Sequence, residues 1–216
     1  MMQKFVITLS GDKNRCSIDG FRGKGFTRFE AVDGYSTFEP TLLCTPAMLG
    51  CAASHVLLWR KLAASSDSCF LICEDDSLIQ ESDEFIVSEQ DQGKPFIINL
   101  NPIGPFFCAP SSDHGGSVLE RRWCPLGTSC YIITRAAALQ LVNLVDNINL
   151  LYHIDLQLAI MCWYLDIPIY ISNVCIGVRE NCKSSISKTW FTCLPPTLQW
   201  YAGLPITSFC SLGQAV

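Results

Sequence analysis

The sequence predicts an α/β fold with a mostly parallel central sheet flanked by helices, and three observations support this prediction. Strand patterns alternate with helical patterns along most of the chain, which is the order of parallel strands joined by helices. The runs KFVITL and SCFLICEDD are almost continuously apolar before the chain turns polar, as expected for strands buried in a sheet. A stretch rich in Pro, Gly and Ser at residues 102–116 indicates a long loop, and a small antiparallel insertion is expected after it.

The first part of the chain contains two strands and a helix. Residues 4–9 form a short apolar, β-branched run that leaves the sheet into the polar turn SGDKNR. Residues 26–34 alternate apolar and polar side chains and stop at an Asp-Gly turn signal. Thr45 and Pro46 supply an N-cap and a first helical residue for an apolar helix that runs to about Ala64.

The next strand, residues 68–76, ends abruptly in three acids and carries the most informative pattern in the chain. Strand and helix patterns continue beyond it to about residue 174, whereas the tail from residue 177 has no clear periodicity. The further predicted elements are strands at 94–101, 127–134 and 168–174 and helices at 135–145 and 155–165.

Length and composition indicate one domain. A chain of 216 residues that is 49% hydrophobic can fill one core well but would leave two domains thin. We expect one domain with halves at about 1–101 and about 102–216, and the chain can be a fragment of a larger polypeptide. The 13 cysteines, an odd number without a C-x-x-C pair, favour free thiols and argue against structural zinc.

Charge and hydropathy argue against two classes of partner. The net charge is −5 and the Lys and Arg residues are scattered, so no face for a nucleic-acid backbone is predicted. No segment approaches the roughly 20 apolar residues of a membrane span. The start MMQKFVITLSGDKNR becomes polar too early for a secretory signal, so the expected location is the cytoplasm.

Glu74, Asp75 and Asp76 close the 68–76 strand at the edge where open α/β sheets bind ligands. Three adjacent carboxylates repel one another, and keeping them ionised is costly unless a cation neutralises them. Oxygen ligands favour Mg²⁺ or Mn²⁺, which retains positions for water or phosphate oxygens. The alternative is that the acids form a solvated turn or cap a helix, and their spacing leaves both interpretations open.

Several motifs occur together in a characteristic order: FVITLSGDKNR, AVDG, LLCTPAMLGCAASHVLLWRKL, FLICEDD, GTSCYIITRAAALQLV and HID. This set resembles glycosyltransferase family 25, which includes lipooligosaccharide and collagen galactosyltransferases, over about three quarters of the chain. The most specific part is the helix GCAASH, followed by Trp59 and then by the strand that ends in the three acids. The set is also similar to a glycosyltransferase domain of a large algal virus.

The resemblance implies a GT-A fold and a nucleotide-sugar donor, with a nucleotide-binding half at about 1–101 and an acceptor-side half at about 102–216. It also implies a DXD-type acidic motif that holds Mn²⁺ or Mg²⁺ against the donor diphosphate. The implied activity is transfer of a hexosyl or deoxyhexosyl unit from a UDP-sugar to a hydroxyl of a glycan acceptor. A bound cation stabilises the negative charge that the leaving diphosphate gains, so the physical interpretation of the acids agrees with the resemblance. The sugar, the acceptor and the stereochemistry stay open.

The acidic triplet supplies most of the predicted metal ligands. Asp76 is the predicted principal ligand and Glu74 its partner, because side chains two apart on a strand share a face. Asp75 then faces the other way, toward the ribose or a metal-bound water. His153, in the motif HID, is a further candidate for the metal shell or for the acceptor site.

The donor-binding candidates come from the other motifs. Thr8, Leu9 and Arg15 lie in the first turn, where the resemblance places the uracil and diphosphate, although Arg15 can equally be a solvated side chain. Asp33 either accepts hydrogen bonds from the base or ribose or belongs to an ordinary Asp-Gly turn. Lys61 is a weaker phosphate candidate, since a lysine in the last turn of a helix usually faces water.

Two residues carry the predicted catalytic roles. His55 needs a hydrogen-bond partner in so apolar a helix, and it is either a satisfied core histidine or, as the family match suggests, a contact to the donor sugar or phosphate. Asp155 opens a helix and is either its cap or the general base that takes the acceptor hydroxyl proton.

Two other functions stay open as alternatives. A metal-dependent phosphohydrolase or nuclease can use the same carboxylates, although such sites usually recruit acids from several strands, and here Asp33 and Asp155 are the plausible recruits. A non-catalytic sugar-binding module can use the five Trp and twelve Phe residues for stacking, although most of these aromatics are more simply core. UDP binding without phosphate release distinguishes the transferase from the hydrolase.

Overall fold

A computed structural model describes residues 2–9, 21, 23–78, 93–100, 119–122, 127–148, 153–172 and 178–179. This part of the chain contains nine strands and four helices. They are, in chain order, β1 (Met2–Thr8), β2 (Phe26–Glu30), α1 (Gly34–Thr37), α2 (Pro46–Ala64), β3 (Cys69–Glu74), β4 (Ser77–Leu78), β5 (Ile97–Asn99), β6 (Leu119–Arg122), β7 (Cys130–Thr134), α3 (Arg135–Val145), α4 (Ile154–Tyr164), β8 (Ile169–Ser172) and β9 (Val178–Arg179). None of the four helices combines the length and the apolar character needed to cross a bilayer.

A seven-stranded sheet in the order β2-β1-β3-β7-β5-β8-β6 forms the centre of the fold, and β4 and β9 pair separately. The pairs β1–β2, β1–β3 and β5–β8 are parallel. β7 pairs antiparallel with both β3 and β5, and β6 pairs antiparallel with β8. β1, β2, β3, β5 and β8 therefore run in one direction, which confirms the predicted α/β fold. The two reversed strands of this sheet both follow residue 116, where the antiparallel insertion was expected.

The boundaries of α2 and α3 agree with the predictions because their capping residues are local signals, α4 is displaced by one residue, and the short α1 was not predicted. The Thr45 hydroxyl accepts a hydrogen bond from Met48 N at 3.3 Å, and Pro46 is the first residue of α2. The Thr134 hydroxyl, 3.4 Å from Ala137 N, caps α3 in the same way. Strands other than β1 are shorter than predicted. β2 ends at Glu30 rather than at the Asp-Gly turn: Ala31 N still donates to Thr8 O of β1, but Val32 N donates to Ser54 of α2.

Apolar side chains cover both faces of β3. Phe70 and Ile72 pack in the larger core cluster, with residues of α2, α3 and α4. Leu71 and Cys73 pack in a second cluster on the opposite face. Since these four side chains are fully buried, β3 is fixed between two packed layers and delivers Glu74 to a defined position at the edge of the sheet.

The start of α2 packs directly against the backbone that follows β2. A Cβ atom added to Gly50 would lie 2.6 Å from both Gly34 N and Val32 O, so this contact requires glycine. One turn further along α2, the Ser54 hydroxyl accepts a hydrogen bond from Val32 N at 2.9 Å and donates one to Gly50 O at 2.7 Å. The small residues in GCAAS thus attach α2 to the carboxyl edge of the sheet.

Candidate functional site

Three elements bring polar side chains to the carboxyl end of β3. Cys73, next to the last residue of β3, pairs with Cys130, the first residue of the antiparallel β7. The residues that precede β7 therefore lie beside Glu74. The first turn of α4 reaches the same place, where the Asp155 side chain contacts Thr128. Glu74 and Asp155 keep 21% and 19% of their side chains exposed, so both carboxylates are accessible from solvent.

Thr128 joins the two carboxylates. Its hydroxyl oxygen lies 2.7 Å from Asp155 Oδ1 and 3.1 Å from Glu74 Oε1. A hydroxyl has one proton, so it can donate to only one of these oxygens at a time. The arrangement therefore brings one hydroxyl oxygen and two carboxylate oxygens together at this edge of the sheet.

Backbone contacts hold Thr128 in place. Gly127 has a φ of 119°, which favours glycine at this turn. The buried Asn99 side chain, at the end of β5, donates to Gly127 O at 2.8 Å. Ser129 O accepts from Glu74 N and from the Ser77 hydroxyl, both at 2.7 Å. The segment between Gly127 and β7 is thus attached to β3, to β5 and to the turn after β3.

His153 and Asp155 form a pair at the start of α4. His153 Nδ1 lies 3.2 Å from Asp155 Oδ2 and 3.4 Å from Asp155 N. One ring nitrogen cannot both donate to the carboxylate and accept from the backbone N–H, and the shorter, charge-assisted contact is the stronger one. His153 occupies the N-cap position of α4, so Asp155 is not the cap of this helix.

The Asp155 carboxyl is stabilised in its ionised form. Burial by itself would raise its pKa, but the hydrogen bond and positive charge of His153 and the hydrogen bond from Thr128 favour the carboxylate. These contacts outweigh burial, and the pKa of Asp155 is lowered from its ordinary value of 3.8. Asp155 is therefore an anion at neutral pH.

Acid is expected to destabilise the protein through Asp155. Because the folded-state pKa is lower than that of the unfolded chain, ionised Asp155 stabilises the fold above about pH 4, and this stabilisation is lost as the pH falls through the folded-state pKa. Urea denaturation between about pH 7 and about pH 3 should show a smaller loss of stability for Asp155→Asn than for the unchanged chain. Equal losses for the two proteins would contradict this assignment.

His55 lies beneath Glu74 rather than in the open cleft. Its ring is fully buried, with Nδ1 2.9 Å from the Tyr131 hydroxyl and Nε2 3.4 Å from Glu74 Oε1. Trp59 Nε1 donates to the same hydroxyl at 2.9 Å. The ring is buried as in a core histidine, with Nδ1 hydrogen-bonded and Nε2 without a hydrogen-bond partner among the described residues, and it contacts the site through Glu74.

Among the described residues, one group of three potential metal-ligating side chains has its ligand atoms within 4.8 Å of one another. It comprises Cys51, His55 and Glu74. Cys51 and His55 are four residues apart on α2 and so share a helix face, whereas Glu74 comes from β3. This group could hold a metal ion, although its sulfur and nitrogen atoms differ from the oxygen set expected from the sequence.

The acidic triplet divides between the strand and the turn after it. Glu74 is the last residue of β3, and residues 75–76 form the turn that leads to β4. The alternation that would place Glu74 and Asp76 on one face therefore stops at Glu74. Asp75 is buried with 6% of its surface exposed, and Asp76 is partly buried. The accessible Glu74 contacts Thr128 and His55.

The donor-binding candidates lie in different places. Thr8 and Leu9 are at the carboxyl end of β1, and the Thr8 carbonyl accepts from Ala31 N at 2.8 Å. Asp33 is the N-cap of α1 and accepts from Tyr35 N at 3.1 Å, so its carboxylate already has a structural role. Arg15 lies outside the described residues.

Lys61 is in the last turn of α2, near the opposite end of the sheet. Its Nζ lies 5.4 Å from the centre of the Phe5 ring, where it forms a cation–π contact. The structure does not bring Lys61 together with the residues at the end of β3.

Two contributors to the site were not identified from the sequence. Thr128 precedes β7, and the sequence did not show in which direction this strand runs. The residue before β7 lies at the carboxyl end of β3 because β7 is antiparallel to β3; before a parallel strand it would lie at the opposite end. Tyr131 lies within an apolar run, so its polar contact depends on the packing of α2 against β7. Polar residues within a predicted buried strand are the signal that could have found it.

The sequence model of glycosyltransferase family 25 (LPS biosynthesis protein) matches residues 44–101. The matched segment contains α2, β3 and β5, and with them His55 and the acidic triplet, whereas Thr128 and Asp155 lie beyond it. A search of curated proteins gave no match. The α/β sheet is compatible with a glycosyltransferase fold. The family match therefore confirms the resemblance expected from the motifs and supports a glycosyltransferase similar to those of family 25.

Proposed function

We propose that this chain is a metal-dependent glycosyltransferase that moves a hexosyl or deoxyhexosyl unit from a UDP-sugar to a hydroxyl of a glycan acceptor. The observation that carries the proposal is the pairing of Glu74 with Asp155 through Thr128 at the carboxyl end of β3. Glu74 lies within the segment matched by family 25, and Asp155 comes from a separate helix that meets it there.

The atoms at this edge fit a hard divalent cation. Glu74 contributes a carboxylate oxygen and Thr128 contributes a hydroxyl, which are donors preferred by Mg²⁺ and Mn²⁺. Asp76, in the adjoining turn, is the proposed principal ligand, and His153 can contribute the ring nitrogen that does not face Asp155. The bound cation would stabilise the negative charge that develops on the leaving diphosphate.

Asp155 is the proposed general base for the acceptor hydroxyl. It is ionised because Thr128 holds one of its oxygens and His153 the other, and part of its side chain stays accessible. A lowered pKa makes it a weak base. A weak base suffices if the hydroxyl gives up its proton late, after the glycosidic bond has begun to break and the hydroxyl has become more acidic.

The donor nucleotide is proposed to lie across the ends of β1 and β3. Thr8 and Leu9 would contact the uracil and Asp75 the ribose, with Arg15 as the candidate for the diphosphate. Asp33 can still contact the base with the carboxylate oxygen that does not cap α1. The position of β1 beside β3 in the sheet supports this placement, because it puts the two strand ends next to each other.

Calorimetric titration with UDP, with and without Mn²⁺, tests the proposal. We expect Mn²⁺-dependent binding of UDP, and we expect Asp76→Asn to weaken it at least about 10-fold, since a bound cation would lose a charged ligand. Asp146→Asn is the matched control, because Asp146 is an exposed acid paired with Arg60 on the protein surface.

Three results would argue for other functions. Release of inorganic phosphate from the nucleotide would indicate a phosphohydrolase. Preference for another nucleoside diphosphate would change the donor but not the reaction class. Glycan binding that is unaffected by Asp76→Asn, in the absence of nucleotide binding, would indicate a sugar-binding module.

A further inference from the structure

Glu74 is the outermost member of a line of polar side chains that runs from α2 to the edge of β3. Trp59 Nε1 lies 2.9 Å from the Tyr131 hydroxyl, and this hydroxyl lies 2.9 Å from His55 Nδ1. On the other side of the imidazole ring, Nε2 lies 3.4 Å from Glu74 Oε1. Trp59, Tyr131 and His55 are each at most 1% exposed, so the line is shielded from water until it reaches Glu74.

The chemistry of these groups fixes where the protons are. An indole N–H can only donate, so the Tyr131 oxygen accepts from Trp59. Burial raises the pKa of Tyr131 well above its ordinary value of 10.0, so the phenol keeps its own proton. His55 Nδ1 lies within hydrogen-bond distance of this hydroxyl, and it accepts the phenol proton when the imidazole is neutral. A neutral imidazole that accepts at Nδ1 carries its proton on Nε2.

The Nε2–H group faces Glu74. Among the described residues Nε2 has no hydrogen-bond partner, and its 3.4 Å separation from Glu74 Oε1 is longer than an ordinary hydrogen bond. Contacts of this kind are often long in the absence of ligand and shorten when the ligand binds. The line of contacts therefore ends at a buried ring nitrogen that lies beside a carboxylate of the proposed cation site and has no hydrogen bond of its own.

We propose that His55 is a positioning residue, which holds the Glu74 carboxylate in a cation-binding orientation through an Nε2–H group fixed by Tyr131. This inference rests on the proposed function, because it assigns a role to a residue behind the proposed site. Thr128 contacts Oε1 from one side and His55 from another, so the carboxylate has two fixed neighbours. The donor sugar and phosphate do not need to contact His55.

The same proton placement bears on the group of Cys51, His55 and Glu74. A metal ion binds an imidazole nitrogen through its lone pair, and a protonated Nε2 has none to offer. The proposal therefore predicts that this group does not take up Zn²⁺ or Co²⁺ in the folded protein, even though its ligand atoms lie within 4.8 Å of one another.

Two substitutions test whether the Tyr131–His55 contact orients the Glu74 carboxylate or only stabilises the folded protein. Tyr131→Phe removes the hydroxyl that orients the ring, which allows the Nε2 lone pair to face Glu74 and repel it. Trp59→Phe removes the indole but leaves the Tyr131 hydroxyl, and with it the proton on Nε2. Since Trp59 is fully buried, its replacement also leaves a cavity and should lower the melting temperature more than Tyr131→Phe does.

The two variants are expected to rank in opposite order for the loss of melting temperature and for the loss of Mn²⁺-dependent UDP binding. Tyr131→Phe should weaken Mn²⁺-dependent UDP binding about 10-fold or more, and Trp59→Phe by no more than about 3-fold, despite the larger loss of melting temperature. Loss of affinity in proportion to loss of stability in both variants would overturn the proposal, as would an unchanged affinity in Tyr131→Phe.

Nuclear magnetic resonance tests the proton placement without reference to the proposed function. A long-range ¹H–¹⁵N spectrum of the unchanged protein should show the His55 proton on Nε2. A proton on Nδ1 would overturn the inference, and so would a Co²⁺–thiolate absorption band that Cys51→Ser abolishes. If the unchanged protein does not bind UDP in the presence of Mn²⁺, the proposed function and the positioning role fail together, whereas the proton placement is still decided by the spectrum.

Discussion

Replacing Glu74 with glutamine is expected to reduce sugar transfer at least about 100-fold, which is the scale of losing one well-placed electrostatic contact at a reacting centre. The amide has the shape of the carboxylate but no negative charge, so it would bind a divalent cation poorly. It would also place an NH₂ group or a neutral oxygen opposite Thr128 and His55, where the structure has a carboxylate oxygen. The measurement is turnover of a UDP-sugar in the presence of Mn²⁺.

The control for this substitution is Glu30→Gln, which removes the same charge from an exposed glutamate paired with Arg28. Because that pair is at the surface, its loss should change turnover little and stability by less than about 1 kcal/mol. Unimpaired turnover in Glu74→Gln would rule out Glu74 as a functional carboxylate. A folded Glu74→Gln protein that still binds UDP through Mn²⁺ but does not turn over would limit the role of Glu74 to the chemical step.

Replacing Gly50 with alanine is expected to destabilise the protein by about 2 kcal/mol or more, and to lower its melting temperature by about 4–8 °C. The new Cβ would lie 2.6 Å from backbone atoms of Val32 and Gly34, and backbone cannot move aside as a side chain can. Alanine gains up to about 1 kcal/mol in helix propensity, so the clash must outweigh this gain. Thermal denaturation followed by circular dichroism measures the effect.

Gly93→Ala is the matched control for this prediction. A Cβ at Gly93 would meet nothing within 4 Å, so the same substitution there should leave the melting temperature almost unchanged. Equal melting temperatures for Gly50→Ala and Gly93→Ala would mean that α2 and the segment after β2 are packed less closely than the structure has them. Because α2 carries His55, loss of this contact should also weaken metal-dependent UDP binding.

The antiparallel insertion has a direct consequence for the site. β7 lies between β3 and β5 and runs opposite to both, so its first residue pairs with Cys73 near the end of β3. A parallel strand in the same place would bring Thr134 to this edge and would carry Thr128 to the opposite end of the sheet. The position of the Thr128 hydroxyl between Glu74 and Asp155 therefore results from the direction of β7.

Local signals in the sequence predicted the helices well. Thr45 and Pro46 fix the start of α2, and Thr134 fixes the start of α3, because a capping hydroxyl acts within a few residues of its own position. The end of β3 at the acidic triplet was also predicted, since an apolar run that meets charged residues must leave the core. The N-cap positions of Asp33 and His153 were not predicted, because a polar residue before a helix can cap it or bind a ligand, and Asp155 was the cap considered for α4.

The sequence by itself determined the α/β class, the positions of the helices and the strand that presents the acids, since all of these depend on patterns among neighbouring residues. Only the tertiary structure decided that Thr128 and Asp155 meet Glu74 and that His55 lies behind it. Those contacts join residues 27, 54 and 76 positions apart along the chain. Contacts over such separations depend on which strands pair and in which direction, and no local pattern of side chains encodes that choice.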